Sequence, residues 1–263
     1  MKRLWLVLIV SFFSIGTAFS NLAPTKDAEP VKELFLCCEA RDWYPFIYTQ
    51  ADEVMGMHID IVREAARRAG FQVKIRTYPF KRCIRMAEHK EVDGMISIVY
   101  DKEYAPYLEY PPNTPNIKES AWAIMQVDDV LVTPAENGYE FTGDIGSIPG
   151  PVRVLENDPT VSYLTQAGIT VEESDADRQN IAKLIRDKKG SVIMSSVMAE
   201  ALSQDEAFKG KIKIGSPALR SQAYFLAFSW GSKLLSQDRK RIWDEIERVR
   251  KDYIFMLALF AQY

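Results

Sequence analysis

The chain has 263 residues, of which 26% are charged and 47% hydrophobic, the proportions of a soluble globular protein. This length suffices for one large domain or two of ordinary size, with a core that needs no cross-links. A formal net charge of −3 is not that of a nucleic-acid-binding chain, so we expect no nucleic-acid partner.

The first twenty residues have the pattern of a secretory signal peptide. Lys2 and Arg3 precede an apolar run over residues 4–15, and Ala18-Phe19-Ser20 offers small residues for cleavage. The run is short for a membrane span, so we prefer a cleaved signal peptide to the alternative, a membrane anchor. We therefore expect a periplasmic protein, whose net charge changes from −3 to −5 when the two positive charges of Lys2 and Arg3 are removed.

Residues 34–111 alternate between strand and helix patterns. In order they give an apolar strand at 34–38, an aromatic loop at 43–48, a helix at 57–69 ended by Gly70, an alternating strand at 71–75, a second helix after 79–82 and a strand at 92–97. This order requires a parallel sheet, and such sheets bind ligands at the carboxyl ends of their strands. The aromatic loop follows a strand, so we expect it to border a binding site.

The pattern restarts after the proline-rich stretch 111–115. It predicts strands at 120–127, 191–194, 211–214 and 222–228, a turn at 146–150, a helix from Asp158 to Gly168 and a helix capped by Ser174. Because segments 120–127 and 222–228 are similar in character, we interpret them as two strands that join two lobes. The amphipathic segment 237–260 is expected to pack on the first lobe as one helix; the alternative is a free membrane-binding helix.

The chain has three cysteines and two histidines. In an exported protein two of Cys37, Cys38 and Cys83 are expected to be oxidised together. Adjacent strand residues point to opposite faces, so only one of Cys37 and Cys38 can reach Cys83, and the sequence does not decide which. His58 and His89 lack ligand spacing to a cysteine, so we expect both on helix surfaces, and we expect no metal or other cofactor.

Four stretches together resemble family 3 of the periplasmic solute-binding proteins, the class that includes polar amino-acid receptors of ABC transporters. They are Trp43–Phe46 with Gly56–Val62, Pro79–Arg82, Val92–Gly94 leading to Tyr107–Pro111, and Val249–Tyr253 with Tyr263. No single motif is specific; their order and spacing over about residues 33–263 carry the resemblance.

The resemblance implies an α/β protein with a two-lobed, type II periplasmic-binding-protein-like fold, each lobe a mainly parallel sheet flanked by helices and the two lobes joined by two hinge strands. The implied boundaries are a signal peptide at 1–20, a flexible leader at 21–32, lobe 1 at 33–119 plus 229–263, lobe 2 at 120–222 and a return hinge strand at 223–228. Such a protein would be a monomer without enzymatic activity. It would clamp a small polar solute, an amino acid or related organic acid, and present it to an ABC permease or a membrane sensor.

Two departures from the family leave the ligand open. The family usually has Thr-Pro-Glu-Arg after its Asp-Gly strand, and that arginine holds the ligand carboxylate; this chain has Asp101-Lys102-Glu103-Tyr104. The family also holds the ligand ammonium with an aspartate at the end of a second-lobe strand, where this chain has Ser195 and Ser196. Both charged contacts of an amino-acid pocket are therefore missing from their usual positions.

Eight residues are candidates for ligand binding, and none is a candidate for catalysis or metal binding. Aromatic side chains at a cleft mouth contact apolar groups and cations, and a carboxyl strand end offers hydroxyl groups and arginines. The candidates are Trp43, Tyr44, Arg82, Ser97, Tyr100, Arg153, Ser195 and Ser196. Arg82 could replace the missing arginine. Arg153 is expected to follow a strand end, beside backbone amides that could hold an anion. Phe46 is expected in the core.

Two alternatives stay open. One is an enzyme on the same fold, since cyclohexadienyl dehydratases resemble this family; Glu39, Glu103 and Asp175 are the acids available to it, and they form no clear catalytic set. The other is a scaffold that has lost its ligand. A cleft filled by its own side chains would favour the scaffold, and a carboxylate with a strongly shifted pKa in the cleft would favour the enzyme.

Overall fold

A computed structural model describes residues 32–114, 120–156, 158 and 160–263. The expected signal peptide and all of the expected leader except Lys32 lie outside these residues. Within the described part of the chain, no helix has the length and apolar character needed to cross a membrane.

The predicted alternation of strands and helices is confirmed over most of the described chain. The strands are β1 (Lys32–Glu39), β2 (Tyr48–Gln50), β3 (Glu53–Met55), β4 (Phe71–Tyr78), β5 (Gly94–Val99), β6 (Leu108–Glu109), β7 (Met125–Pro134), β8 (Val152–Leu155), β9 (Val171–Ser174), β10 (Ser191–Ser195), β11 (Ile212–Ile214) and β12 (Arg220–Ser229). The helices are α1 (Met57–Arg68), α2 (Phe80–Glu88), α3 (Thr160–Gln166), α4 (Asp177–Asp187), α5 (Ser196–Gln204), α6 (Ser236–Lys251) and α7 (Tyr253–Gln262).

One mixed sheet runs through the protein in the order β4-β1-β5-β12-β7-β10-β8-β9. At one end β1 pairs in parallel with β4 and β5, and at the other end β8 pairs in parallel with β9 and β10. We call these the β1 end and the β10 end. The two antiparallel strands β12 and β7 join them, and β12 pairs with β7 over 220–224 and with β5 over 224–228. The predicted parallel arrangement of β1, β4 and β5 is therefore confirmed.

Helix α1 covers one face of the β1 end. Its apolar face, which includes Ile61 and Val62, is buried and packs beside α6, whose Ile242 and Ile246 are also buried. The helix begins after Gly56, which has φ +123°, and a Cβ there would lie 2.2 Å from the carbonyl oxygen of Phe46. Only glycine fits this contact, which places the start of α1 directly against the aromatic loop.

The disulfide joins Cys37 to Cys83, which settles the choice that the sequence left open. Cys37 faces α2 and packs with Cys83, Ile84 and Met95. Cys38 points to the opposite face of β1 and is a buried free thiol, whose pKa burial raises to about 12. Cys38 is therefore held as an apolar core residue.

Three predicted element boundaries are wrong. The strand predicted at 120–127 begins at Met125 and continues to Pro134. Ser174 is the last residue of β9, where its hydroxyl accepts a hydrogen bond from Lys183 Nζ at 2.7 Å, so it does not cap α4. The predicted single C-terminal helix is two helices because the Asp252 carboxylate accepts a hydrogen bond from Phe255 N at 3.2 Å and caps a new helix.

Candidate ligand-binding cleft

A cavity of about 450 Å³ lies at the carboxyl ends of β1 and β5, beside β12. Its lining includes Glu39 at the end of β1, Arg41 and Trp43 in the loop that follows, and Tyr100 just after β5. The sequence predicted a site at this edge because parallel strands carry their ligands there. Side chains from the ends of β1 and β5 and from β12 surround the cavity.

Aromatic rings form one wall of the cavity. The Trp43 ring lies 4.5 Å from the Phe46 ring and 4.9 Å from the Tyr224 ring, measured between centroids. Phe46 is fully buried, so it supports Trp43 from the core side, as the sequence analysis expected. Trp43 and Tyr224 both line the cavity and present a rigid apolar surface to it.

Arg41 places a guanidinium group in the cavity lining without an ion-pair partner among the described residues. Its guanidinium carbon lies 5.2 Å from the centroid of the Trp43 ring. Among the described residues its side chain makes no ion pair and no hydrogen bond. Arg41 lines both the cavity and a neighbouring groove that includes Asp158 and Asp175. The ring orients the guanidinium, and its five N–H donors are free to meet an anion.

Arg220 and Asp129 form an ion pair beside the cavity. The strand register places Arg220 of β12 opposite Asp129 of β7. Arg220 Nε donates to Asp129 Oδ2 at 2.8 Å, and Nη2 donates to the same oxygen. Burial raises the pKa of Asp129, and the charge of Arg220 opposes that rise. Arg220 lines the cavity, but its charge is already matched.

Further acids lie near this pair at the β10 end. Burial raises the pKa of Asp177 to about 7, and the negative charges of Asp158 and Asp129 add to the rise. The Asp158 carboxylate accepts a hydrogen bond from Thr160 N at 2.8 Å, at the start of α3. Asp177 does not line the cavity or the groove beside Arg41, so its shifted pKa supplies no acid to either.

His58 lies beneath the cavity, and the prediction that it sits on a helix surface is wrong. It is fully buried, because the second residue of α1 faces the core along with Met57. His58 Nδ1 lies 2.7 Å from the hydroxyl oxygen of Ser97, which lines the cavity. Burial lowers the pKa of His58 to about 3. His89 is exposed just after α2, as predicted.

Three of the eight candidate residues, Trp43, Ser97 and Tyr100, line the cavity. Tyr44 and Ser196 instead line a separate apolar groove of about 500 Å³, where the Tyr44 hydroxyl donates to the Tyr263 carbonyl oxygen at 2.6 Å. Arg82 is exposed on α2, and its guanidinium lies over the Tyr78 ring at 4.6 Å. The structure thus separates residues that the sequence analysis grouped.

Arg153 and Ser195 have contacts that tie them to the framework. Arg153 lies inside β8, so the expectation that it follows a strand end is wrong. It is buried and donates to Glu172 at 3.0 Å, Asp187 at 2.7 Å and the Lys189 carbonyl oxygen at 3.1 Å. Ser195 ends β10, and its hydroxyl accepts a hydrogen bond from Met198 N at 3.2 Å, which caps α5.

Sequence reasoning missed Arg41, His58 and the Arg220–Asp129 pair. Arg41 follows β1 by two residues, and this position after a parallel strand could have identified it. The pair joins residues 91 positions apart and depends on strand register, for which the sequence gives no local signal. Tyr224 was predicted in a joining strand, where the structure places it.

Part of the chain is similar in sequence to bacterial proteins that bind solutes outside the cytoplasm. Residues 36–113 match the family model for bacterial extracellular solute-binding proteins, family 3. Over 97 residues the chain is 24% identical to the arginine-binding extracellular protein ArtP of Bacillus subtilis (strain 168). Within residues 36–113 the chain is therefore similar to the family 3 solute-binding proteins. The alignment with ArtP spans 37% of this chain and 38% of ArtP, and the matched family region contains Arg41, Trp43, His58 and Ser97.

Solved structures extend the likeness, in fold, to most of the chain. The YCKB_BACSU protein of Bacillus subtilis superposes with a TM-score of 0.68 at 13% identity, covering 88% of this chain and 89% of that one. The L-cystine solute receptor of Neisseria gonorrhoeae, in its unliganded open conformation, gives 0.63 at 13% identity over 89% and 93%. The expected two-lobed, type II periplasmic-binding-protein fold is therefore confirmed.

Proposed function

We propose that this protein binds a small polar solute with an anionic group, an amino acid or a related organic acid, in the cavity at the ends of β1 and β5. The observation that carries the proposal is Arg41, a cation stacked on Trp43 with no ion-pair partner among the described residues. Arginine presents a planar pair of donors that matches a carboxylate. Arg41 would then replace the arginine that the family places after its Asp-Gly strand.

The charge distribution favours a solute that carries both signs. Arg41 shares its groove with Asp158 and Asp175, and Asp129, beside Arg220, is close enough to Asp158 and Arg41 to interact with their charges. A carboxylate at Arg41 would leave an ammonium group on the acidic side, where Asp158 could hold it. An amino acid fits these opposite charges better than a dicarboxylic acid, whose second negative charge would face the aspartates.

The solute would be clamped between the two lobes and released to a membrane partner. Binding would shift the population toward a closed form, which an ABC permease or a membrane sensor would recognise in the periplasm, with the receptor acting as a monomer. The names of ArtP and the gonococcal receptor record binding of arginine and L-cystine, which supports a solute-binding role. Binding without catalysis is also supported by His58, whose lowered pKa makes it a weak base.

The test is thermal unfolding of the purified protein with the twenty common L-amino acids and with succinate and citrate. A solute at about 100 times its Kd stabilises the folded state by about 2.7 kcal/mol, which raises Tm by several degrees. The Arg41→Gln variant should unfold at the same temperature as the wild type but lose the response. The Arg82→Gln variant, which removes an exposed arginine outside the cavity, is the matched control and should keep it. No response of the wild type would contradict the solute-binding proposal, and a full response of Arg41→Gln would move the site elsewhere.

A further inference from the structure

We propose that His58 is a positioning residue, which fixes the Ser97 hydroxyl as a hydrogen-bond donor directed at the solute. The proposal rests on the binding function proposed above and adds a second contact for the anionic group. Its basis is the 2.7 Å contact between His58 Nδ1 and Ser97 Oγ, formed by a fully buried ring and a side chain that lines the cavity.

The His58 ring has one hydrogen-bond partner among the described residues. Its ring packs against Trp43 at 5.6 Å, Phe46 at 5.0 Å and Tyr224 at 5.5 Å between centroids. The Nε2 atom is buried and has no hydrogen-bond partner among the described residues. Burial without a nearby counter-charge keeps the imidazole neutral, with a single N–H to place.

The position of that hydrogen follows from the partners available. On Nδ1 it meets the Ser97 oxygen, whereas on Nε2 it would be a buried donor with no acceptor. A buried N–H without a partner is rarer and costlier than a hydrogen-bonded one, so we assign the hydrogen to Nδ1. Ser97 Oγ then accepts from His58, and its own hydrogen remains to be donated.

The geometry of Ser97 directs this donor to the cavity. Within the described chain, His58 is the one side-chain partner of the Ser97 hydroxyl. Ser97 has φ +62°, a backbone conformation uncommon for a residue other than glycine, and such residues concentrate at functional sites. Its O–H can meet a carboxylate or carbonyl oxygen of the solute, so that Arg41 and Ser97 approach one anionic group from two parts of the lining.

The first experiment measures the tautomer without any ligand. The described chain has two histidines, His58 and His89, so ¹⁵N-labelled protein should give two ring systems in a long-range ¹H–¹⁵N spectrum at pH 7. His89→Gln removes one and assigns the other. We expect His58 to show a protonated Nδ1 and an unprotonated Nε2. A protonated Nε2, or a doubly protonated ring, would overturn the proposal whether or not a solute binds.

The second experiment tests the consequence for binding, with L-alanine as the probe because it carries only the carboxylate and ammonium groups. His58→Asn keeps an N–H donor near the Nδ1 position, whereas His58→Leu removes it. We expect His58→Leu and Ser97→Ala each to weaken binding about tenfold, the double variant to bind no more weakly than either, and His58→Asn to bind nearly as the wild type. Equal weakening by Asn and Leu would indicate a merely structural role and overturn the proposal. Failure of the wild type to bind L-alanine would count against the proposed solute, and the tautomer would then decide the role of His58.

Discussion

Arg220 and Asp129 form an ion pair across the two strands that join the ends of the sheet. Arg220 donates from both Nε and Nη2 to one oxygen of Asp129, and both side chains are largely shielded from solvent. The pair sets a cation and an anion at the edge of the proposed binding cavity. Because Asp129 already neutralises most of the charge of Arg220, Arg41 is the arginine of the cavity lining that is available to a solute.

Removing one partner of this pair should destabilise the protein. Arg220→Met leaves the Asp129 carboxylate without its hydrogen-bonded cation and close to the negative charge of Asp158, so we expect a loss of about 3 kcal/mol in the free energy of unfolding in urea. The double variant Arg220→Met/Asp129→Asn should recover more than half of that loss. Arg178→Met, which breaks the exposed pair with Asp205, is the control and should cost less than about 1 kcal/mol. An additive double variant would show that the two residues do not interact energetically.

Arg153 should matter for stability and not for binding. Its guanidinium is 1% exposed and donates to Glu172 and Asp187, so Arg153→Met should cost about 3 to 5 kcal/mol in urea unfolding. Arg186→Met is a matched control because Arg186 pairs with the same Asp187 but is 72% exposed. The Tm response to a solute should survive in Arg153→Met at a temperature where the variant is folded. Loss of the Tm response in a folded variant would contradict this prediction and indicate that Arg153 takes part in binding.

The disulfide assignment can be checked by counting thiols. Under denaturing, non-reducing conditions we expect one free thiol in the wild type, none in Cys38→Ala and two in Cys37→Ala. The bridge spans 46 residues, for which the loss of loop entropy predicts a stabilisation of about 4 kcal/mol. Urea unfolding of Cys37→Ala/Cys83→Ala against Cys38→Ala should show a difference of this order. A free thiol remaining in Cys38→Ala would contradict the pairing.

The buried His58 should make the folded state less stable in acid. Its pKa is about 3 in the fold and about 6.5 when unfolded, so the unfolded chain binds the extra proton between these values. The contribution of neutral His58 is therefore fully present above pH 6.5 and is lost as the pH falls toward 3. Relative to His58→Leu, the wild-type free energy of unfolding should fall by up to about 1.4 kcal/mol per pH unit in this window. His89→Leu, which changes an exposed histidine, is the matched control.

Asp177 should act in the opposite direction. Its pKa of about 7 in the fold lies above the unfolded value, so the folded state holds its proton more tightly. The stability due to protonated Asp177 is full below pH 3.8 and is lost as the pH rises through 7. Asp177→Asn should therefore raise the free energy of unfolding at pH 8 by on the order of 2 kcal/mol relative to its effect at pH 4. Asp175→Asn, at an exposed position, is the control; an equal effect of the two variants would contradict the prediction.

The parts of the fold that the sequence predicts are those with local causes. The apolar spacing of α1, the left-handed Gly70 and the alternation in β4 each depend on neighbouring residues, and all three are found. The break at Asp252 also has a local cause, which the prediction of a single helix over 237–260 missed. Its spacing from Phe255 is that of an N-cap.

The candidate site was harder to predict because it depends on contacts between distant segments. The apolar residues Ile61 and Val62, three and four positions after His58, place His58 on the buried face of α1, but its partner Ser97 is 39 positions away. Arg153 lies between the buried Val152 and Val154 of β8, and its buried charge is paired with two acids, Glu172 and Asp187, that come later in the chain and have no local signal near it. Trp43, Ser97 and Tyr100 were found because the ends of parallel strands are predictable from strand order alone.

Tyr224 lies at the point where β12 changes its pairing partner from β7 to β5. This residue pairs with Met125 of β7 and with Val99 of β5, and its ring lines the cavity beside Trp43. Strand β9 lies four strands from β12, roughly 19 Å at the usual spacing, so a turn of about 10° at Tyr224 would move β9 by about 3 Å. A solute bound against the Tyr224 ring would contact the strand position about which the sheet turns. A small rotation there would produce its largest displacement at β9, the far edge of the sheet.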